Sequence, residues 1–142
     1  MKQMEYRAFL FAHIALFIVF VWFGSLKLFG LSPAGPLVES LYNGTIGIIL
    51  PFLSASGFII VLGIIEVAIG VLFVIPKMEK VAMVLLIPHM VTTIMPLFLL
   101  PEITWGGPFV PTLEGQYIIK NVVIIALAAM VFVDLGKKRS GR

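Results

Sequence analysis

Four apolar runs, each about 20 residues long, constrain this chain more than any other feature. A helix rising 1.5 Å per residue needs about 20 residues to cross roughly 30 Å of hydrocarbon. The first run extends from Ala8 to Phe29, with no charge between Arg7 and Lys27. The second, Ser56 to Ile75, holds one charge, Glu66, and the third, Val81 to Leu100, holds none. The fourth, residues 115–134, holds Lys120 and closes on Asp134. In a bilayer the backbone must satisfy its own hydrogen bonds, which predicts helices. Barrel strands would alternate in polarity, and these runs do not. The expected fold class is therefore all-α: one four-helix transmembrane bundle over residues 1–142, with helices near 8–29, 56–75, 81–100 and 115–134. Composition agrees, since 61% of residues are hydrophobic and 12% charged, against about 45–50% and about 25% in soluble domains. The first run exceeds the apolar core of a signal peptide, about 7–15 residues, and reads as a retained helix.

The absence of cysteine excludes disulfides, thiolate metal sites, iron–sulfur clusters and thiol relays. The formal charge of +3 does not point to nucleic acid, because the basic residues sit at helix ends and tails. Lys2 and Arg7, Lys77 and Lys80, and Lys137, Lys138, Arg139 and Arg142 all fall on one side of the expected membrane. The other side has only Lys27 and Lys120, at helix ends, with Glu39, Glu102 and Glu114. The positive-inside rule then places both termini in the cytoplasm. The basic C-terminal cluster would also touch anionic lipid.

The two outer connections are long and rich in Pro and Gly. Within residues 30–55, residues 36–42 predict a short helix with Pro36 in its first turn, and the apolar run Ile46–Leu53 predicts a segment at the interface or capping the bundle. Tyr42, Trp105 and Tyr117 would form an outer aromatic belt. These connections serve either as anchors or as a lid over an outward-facing cavity.

The polar residues inside the runs carry the functional information. Glu66 lies about 13 Å above the cytoplasmic end of its helix, where a carboxylate costs on the order of 2.5–3.5 kcal/mol. It shares a face with Gly63 and Gly70, which admit a neighbouring helix closely. It should therefore face the interior, protonated or paired. His89 lies about 12 Å into the next helix from the same side, and the short link makes the two helices antiparallel neighbours. Glu66 and His89 are thus candidate partners in proton transfer, or else an interhelical hydrogen bond that fixes packing. Thr92, Thr93 and Pro96 share the face of His89, so the threonines are candidate ligand contacts.

Helix 1 carries His13, Phe17, Phe20, Gly24 and Lys27 at helical spacing, with Lys27 near enough to the outer end to snorkel. His13 and His89 differ in depth by roughly 4–5 Å, which disfavours a bis-histidine haem. Helix 4 opens with Glu114, Gln116, Tyr117, Lys120 and Asn121. These groups either pair among themselves or with Glu39 and Lys27, or bind an anionic or quinone head group. The sequence contains no nucleophile–base motif, phosphate loop or metal-ligand spacing.

Taken in order, several stretches resemble the DoxX-like family of small four-helix membrane proteins, including its oxidant-resistance relatives. They are Phe20-Val-Trp-Phe-Gly-Ser-Leu-Lys27, Pro36-Leu-Val38, Gly63-Ile-Ile-Glu66-Val-Ala-Ile-Gly70, Thr92-Thr93 and Glu114-Gly-Gln-Tyr-Ile-Ile-Lys120-Asn121. The resemblance runs from about Arg7 to Asp134. It implies an inner-membrane protein, in some members the membrane subunit of a thiosulfate:quinone oxidoreductase. It carries over Lys27, Glu66, Lys120 and Asn121 as functional positions; His89 is inferred from depth alone.

The expected function is a membrane subunit that binds a quinone or similar lipophilic ligand. Glu66 and His89 would handle a proton, while Lys27, Lys120 and Asn121 orient the head group, with Tyr117, Thr92 and Thr93 beside it. Electrons would come from a partner redox subunit. The rival is a non-catalytic accessory or assembly protein docked in the lipid bilayer to a larger complex. Homo-oligomers are compatible with either. A transporter would be expected to show inverted repeats, and none is evident.

Overall fold

In the computed structural model the backbone is described for residues 2–140 and the side chains for residues 3–133. The side chains of Lys2, Lys137, Lys138 and Arg139, and all of Arg142, used above for orientation, lie outside the described residues. The elements are α1 (Lys2–Leu28), α2 (Gly35–Leu41), a π-helical turn (Tyr42–Ile46), α3 (Gly47–Ile49), α4 (Ala55–Val74) and α5 (Glu79–Ile94). They continue with α6 (Pro96–Leu99), α7 (Pro101–Thr104), β1 (Trp105–Gly107), β2 (Val110–Pro111), α8 (Leu113–Ile119) and α9 (Asn121–Ser140). Four stretches are long and apolar enough to cross a membrane: Gln3–Leu28, Ala55–Val74, Glu79–Leu99 and Leu113–Val133. Only 17% to 39% of each is buried inside the protein. Apolar residues such as Ile18, Trp22, Ile64, Val84 and Val123 therefore face outward, as on helices whose solvent is lipid.

The four spans touch in the cyclic order α1, α4, α5, α9 and back to α1. The termini and the tight α4–α5 link share one end of this arrangement, here the terminal end. The two long connections share the other, the loop end. The main core joins Leu16 and Phe20 of α1, Ile69 and Phe73 of α4, Ala82, Leu86 and Met90 of α5, and Ala128 and Val131 of α9. A second cluster at the loop end joins Leu41, Tyr42 and Ile46 to Phe58, Leu62 and Leu100.

The closest helix contact is between α1 and α4. A Cβ added to Gly24 would lie 2.8 Å from the Gly63 carbonyl, and one added to Gly63 would lie 2.9 Å from the Gly24 carbonyl. Gly70 meets Val21 in the same way. Small residues let two backbones approach where lipid provides no hydrophobic drive for association. The glycine face around Glu66 thus does admit a neighbouring helix, and that neighbour is α1.

Several expectations are corrected. The fold is mostly helical, and the second long connection adds an unforeseen short antiparallel hairpin of β1 and β2, pairing Trp105 with Pro111 and Gly107 with Val110, with Phe109 at φ 60° in its turn. The first helix begins at Lys2 rather than residue 8, because Lys, Gln, Met, Glu and Arg extend a helix well outside the apolar stretch. It stops where Gly30 takes φ 68° and the Leu31 amide bonds the Leu26 carbonyl at 2.8 Å, a left-handed helix cap. The third span breaks at Met95, since Pro96 has no N–H to continue the ladder. The fourth breaks at Lys120, where Val123 N–H bonds the Lys120 carbonyl at 3.1 Å in a tightened turn.

The expected helix at 36–42 appears as α2. Tyr42, expected in an aromatic belt, is instead buried, and its hydroxyl donates to the carbonyls of Leu50 and Leu53. Ile46 is buried, whereas Ile48, Ile49 and Phe52 are exposed.

Candidate functional site

The site is built where α1, α4 and α5 meet below the loop end. Glu66 is 7% exposed, Lys27 8% and His89 6%. Lys27 Nζ donates to Glu66 Oε2 at 2.7 Å and to Oε1 at 2.9 Å. His89 Nε2 lies 3.1 Å from Glu66 Oε1. The pairing of Glu66 with His89 follows the depth argument. Lys27 departs from it, because it turns inward instead of reaching toward the interface.

Helix geometry explains that turn. A Cβ on Gly63 would lie 2.9 Å from the Lys27 Cβ, so Lys27 leaves α1 level with Gly63, about one turn above Glu66. Side chains lean toward the N-terminus of their helix. In α1 that direction points at Glu66, and the missing side chain at Gly63 leaves space for the lysine stem. A buried charge needs a partner, and the Glu66 carboxylate supplies it.

Beside this triad lies a cavity of about 290 Å³, at the small end of the usual ligand-site range of about 300–1,000 Å³. Eight candidate residues read from the sequence line it, namely Lys27, Glu66, His89, Thr92, Thr93, Tyr117, Lys120 and Asn121, whereas Glu114 and Gln116 do not. Its apolar wall includes Phe20, Phe23, Leu37, Val38, Leu41 and Pro96. Phe20 meets the His89 ring edge-on, with centroids 6.1 Å apart, and Phe23 meets Tyr117 likewise at 5.9 Å. Leu37, Val38 and Leu41 of α2 bring the first long connection into the cavity wall. A second cavity of about 300 Å³ adjoins it toward the loop end and shares Phe23, Lys27, Ala34, Leu37 and Tyr117. Ser32, Ser40 and Glu114 line that outer chamber.

The polar groups differ in what they can still offer. The Thr92 hydroxyl donates to the Pro88 carbonyl at 3.0 Å, and that of Thr93 to the His89 carbonyl at 2.9 Å. Both protons are spent within α5, so these threonines offer a ligand only lone pairs. Lys120 is exposed and has no ion-pair partner among the described residues. Two buried atoms, His89 Nδ1 and Asn121 Nδ2, have no hydrogen-bond partner among the described residues. His13 bonds the Phe9 carbonyl through Nδ1 at 2.7 Å and does not line the cavity.

Sequence reasoning missed the aromatic and α2 portions of the wall. Phe20 shares a helical face with Gly24 and Lys27, which was a usable signal. Leu37, Val38 and Leu41 follow a one-sided helical spacing, but nothing local shows where a short helix docks. No family model, curated protein or solved structure matches this chain.

Proposed function

We propose that this chain is a ligand-binding membrane subunit of a redox assembly, as its DoxX-like resemblance implies, and that its cavity holds the head group of a quinone or similar lipophilic molecule. The supporting observation is convergence: eight residues scattered over α1, α4, α5 and the fourth span line one small chamber with an apolar wall. In this reading the protein lies in the inner membrane with its termini in the cytoplasm, and the loop end faces outward. Exposed Phe29, Ile49, Phe52 and Phe109 rest in the interfacial layer there.

Quinone chemistry moves protons together with electrons. Glu66 and His89 form a hydrogen-bonded pair able to pass a proton between the head group and the outer chamber. Lys27 balances the carboxylate charge rather than gripping the ligand. Asn121 and Lys120 approach the ligand from the fourth span. Electrons come from a separate redox subunit.

A second reading has its own support. The Lys27–Glu66–His89 contacts tie three helices together beside the Gly24–Gly63 crossing, as they would in an accessory protein without chemistry. Native mass spectrometry of protein extracted gently from its own membranes separates the two. A quinone-sized mass increment that is lost in Asn121→Leu is expected. A larger assembly with another polypeptide, and no small-molecule increment, would favour the accessory reading.

A further inference from the structure

The two unpartnered atoms specify the ligand more narrowly than the cavity does. Glu66 receives the Lys27 ammonium on both oxygens, so it acts as an acceptor toward its other neighbours. Its 3.1 Å contact with His89 Nε2 is then served by an N–H on that nitrogen. A neutral imidazole carries one N–H, so Nδ1 is left as a bare lone pair. That atom is buried, without a partner among the described residues, on a side chain that lines the cavity. Asn121 of α9, which lines the same cavity, has an unpartnered amide nitrogen, a donor.

We infer that the cavity selects a ring bearing a hydroxyl, which donates to His89 Nδ1 and accepts from Asn121 Nδ2. The inference rests on the reading of the cavity as a ligand site and deepens it: among redox forms, the quinol is held more tightly than the quinone. A quinone carbonyl would place lone pairs against a lone pair, and leaving a buried acceptor unsatisfied is costly. The aromatic part is matched by Phe20, Phe23 and Tyr117 on the wall. Thr92 and Thr93 have already spent their protons within α5, so neither competes with Asn121 as a donor to that hydroxyl.

The test uses the full chain in lipid nanodiscs and two probes, 4-octylphenol and its methyl ether 4-octylanisole. They differ in one hydroxyl proton. Binding is referenced to empty discs, so that partition into lipid cancels. The phenol is expected to bind at least about tenfold more tightly, the scale of one buried hydrogen bond left unmade. His89→Phe, which keeps a ring against Phe20, should bring the ratio close to one. Asn121→Leu should weaken both probes together and preserve the ratio, since both oxygens can accept. A decyl benzoquinol should likewise outbind the matching benzoquinone.

Equal binding of phenol and ether to the wild type overturns the inference but leaves the ligand site standing. Failure of both probes and of both quinone forms to bind overturns the ligand site as well. Should His89→Phe not fold, the wild-type ratio alone still decides.

Discussion

Toward the terminal end, Leu16, Ile69, Phe73, Ala82, Leu86, Ala128 and Val131 fill the space between the four spans with apolar side chains, and the buried Glu79 lies beyond them in the first turn of α5. A few turns further along the same helices, the space between α1, α4 and α5 holds an ammonium, a carboxylate and an imidazole beside an open chamber. The first region is held by packing and would tolerate small errors by local adjustment. The second depends on mutual satisfaction of groups that lipid cannot solvate. Gathering buried polar groups at one level and apolar packing at the next allows one set of helices to provide both a rigid base and a polar pocket.

The largest effect should come from breaking the polar half with a single change. Lys27→Met leaves the Glu66 carboxylate buried without its cation, at a cost of about 3–5 kcal/mol. Unfolding of the purified protein in detergent would measure it, and the Lys27→Met, Glu66→Leu double variant should recover most of the loss. A neutral single variant would mean that the pair is solvated and the contrast between halves is false. For the same reason Glu66→Gln strands an ammonium. As a test of proton transfer it must therefore be read beside the double variant.

Next comes the apolar half. Phe73→Ala should fall at the lower end of the roughly 3–5 kcal/mol seen in soluble cores, because lipid is as apolar as the interior and only packing is lost. Its ligand binding should be unchanged. Gly63→Leu follows, at about 1–3 kcal/mol for overpacking. It should also impair binding, because the new side chain takes the space of the Lys27 stem. The smallest effect belongs to the loop end. The Ser54 hydroxyl accepts from the Gly57 amide at 3.0 Å and caps α4, and Ser54→Ala should cost about 1 kcal/mol with binding intact.

The sequence makes the depth of each group legible but not its direction. Glu66 and His89 can be matched in advance because two helices joined by a four-residue link run antiparallel, and distance from the link counts off along both. The glycine face is legible because only small residues permit close crossing. Lys27 is misjudged since its reach, one turn either way, spans both the interface and the interior. The choice depends on Gly63 of another helix. Tyr42 is misjudged for the same kind of reason: a tyrosine suits an interface until nearby carbonyls, here those of Leu50 and Leu53, offer its hydroxyl a partner inside. The hairpin at 105–111 rests on short segments whose pairing is decided by the helices at either side. Thr104 anchors it, with its carbonyl accepting the Thr112 amide at 3.0 Å.

The dry half has an electrical consequence. Between Glu66 and Phe73, about 10 Å along α4, the described residues of the core include no side chain that could relay a proton. The chambers beside Glu66 instead lead toward the loops. Under the proposed function this apolar core would insulate Glu66 from the terminal end, and a proton exchanged there would enter and leave on the loop side. Sidedness follows from packing alone. An electron donor on the opposite face would make turnover electrogenic, whereas a donor on the loop side would make it electrically silent. A potential-sensitive dye in sealed vesicles would register the difference.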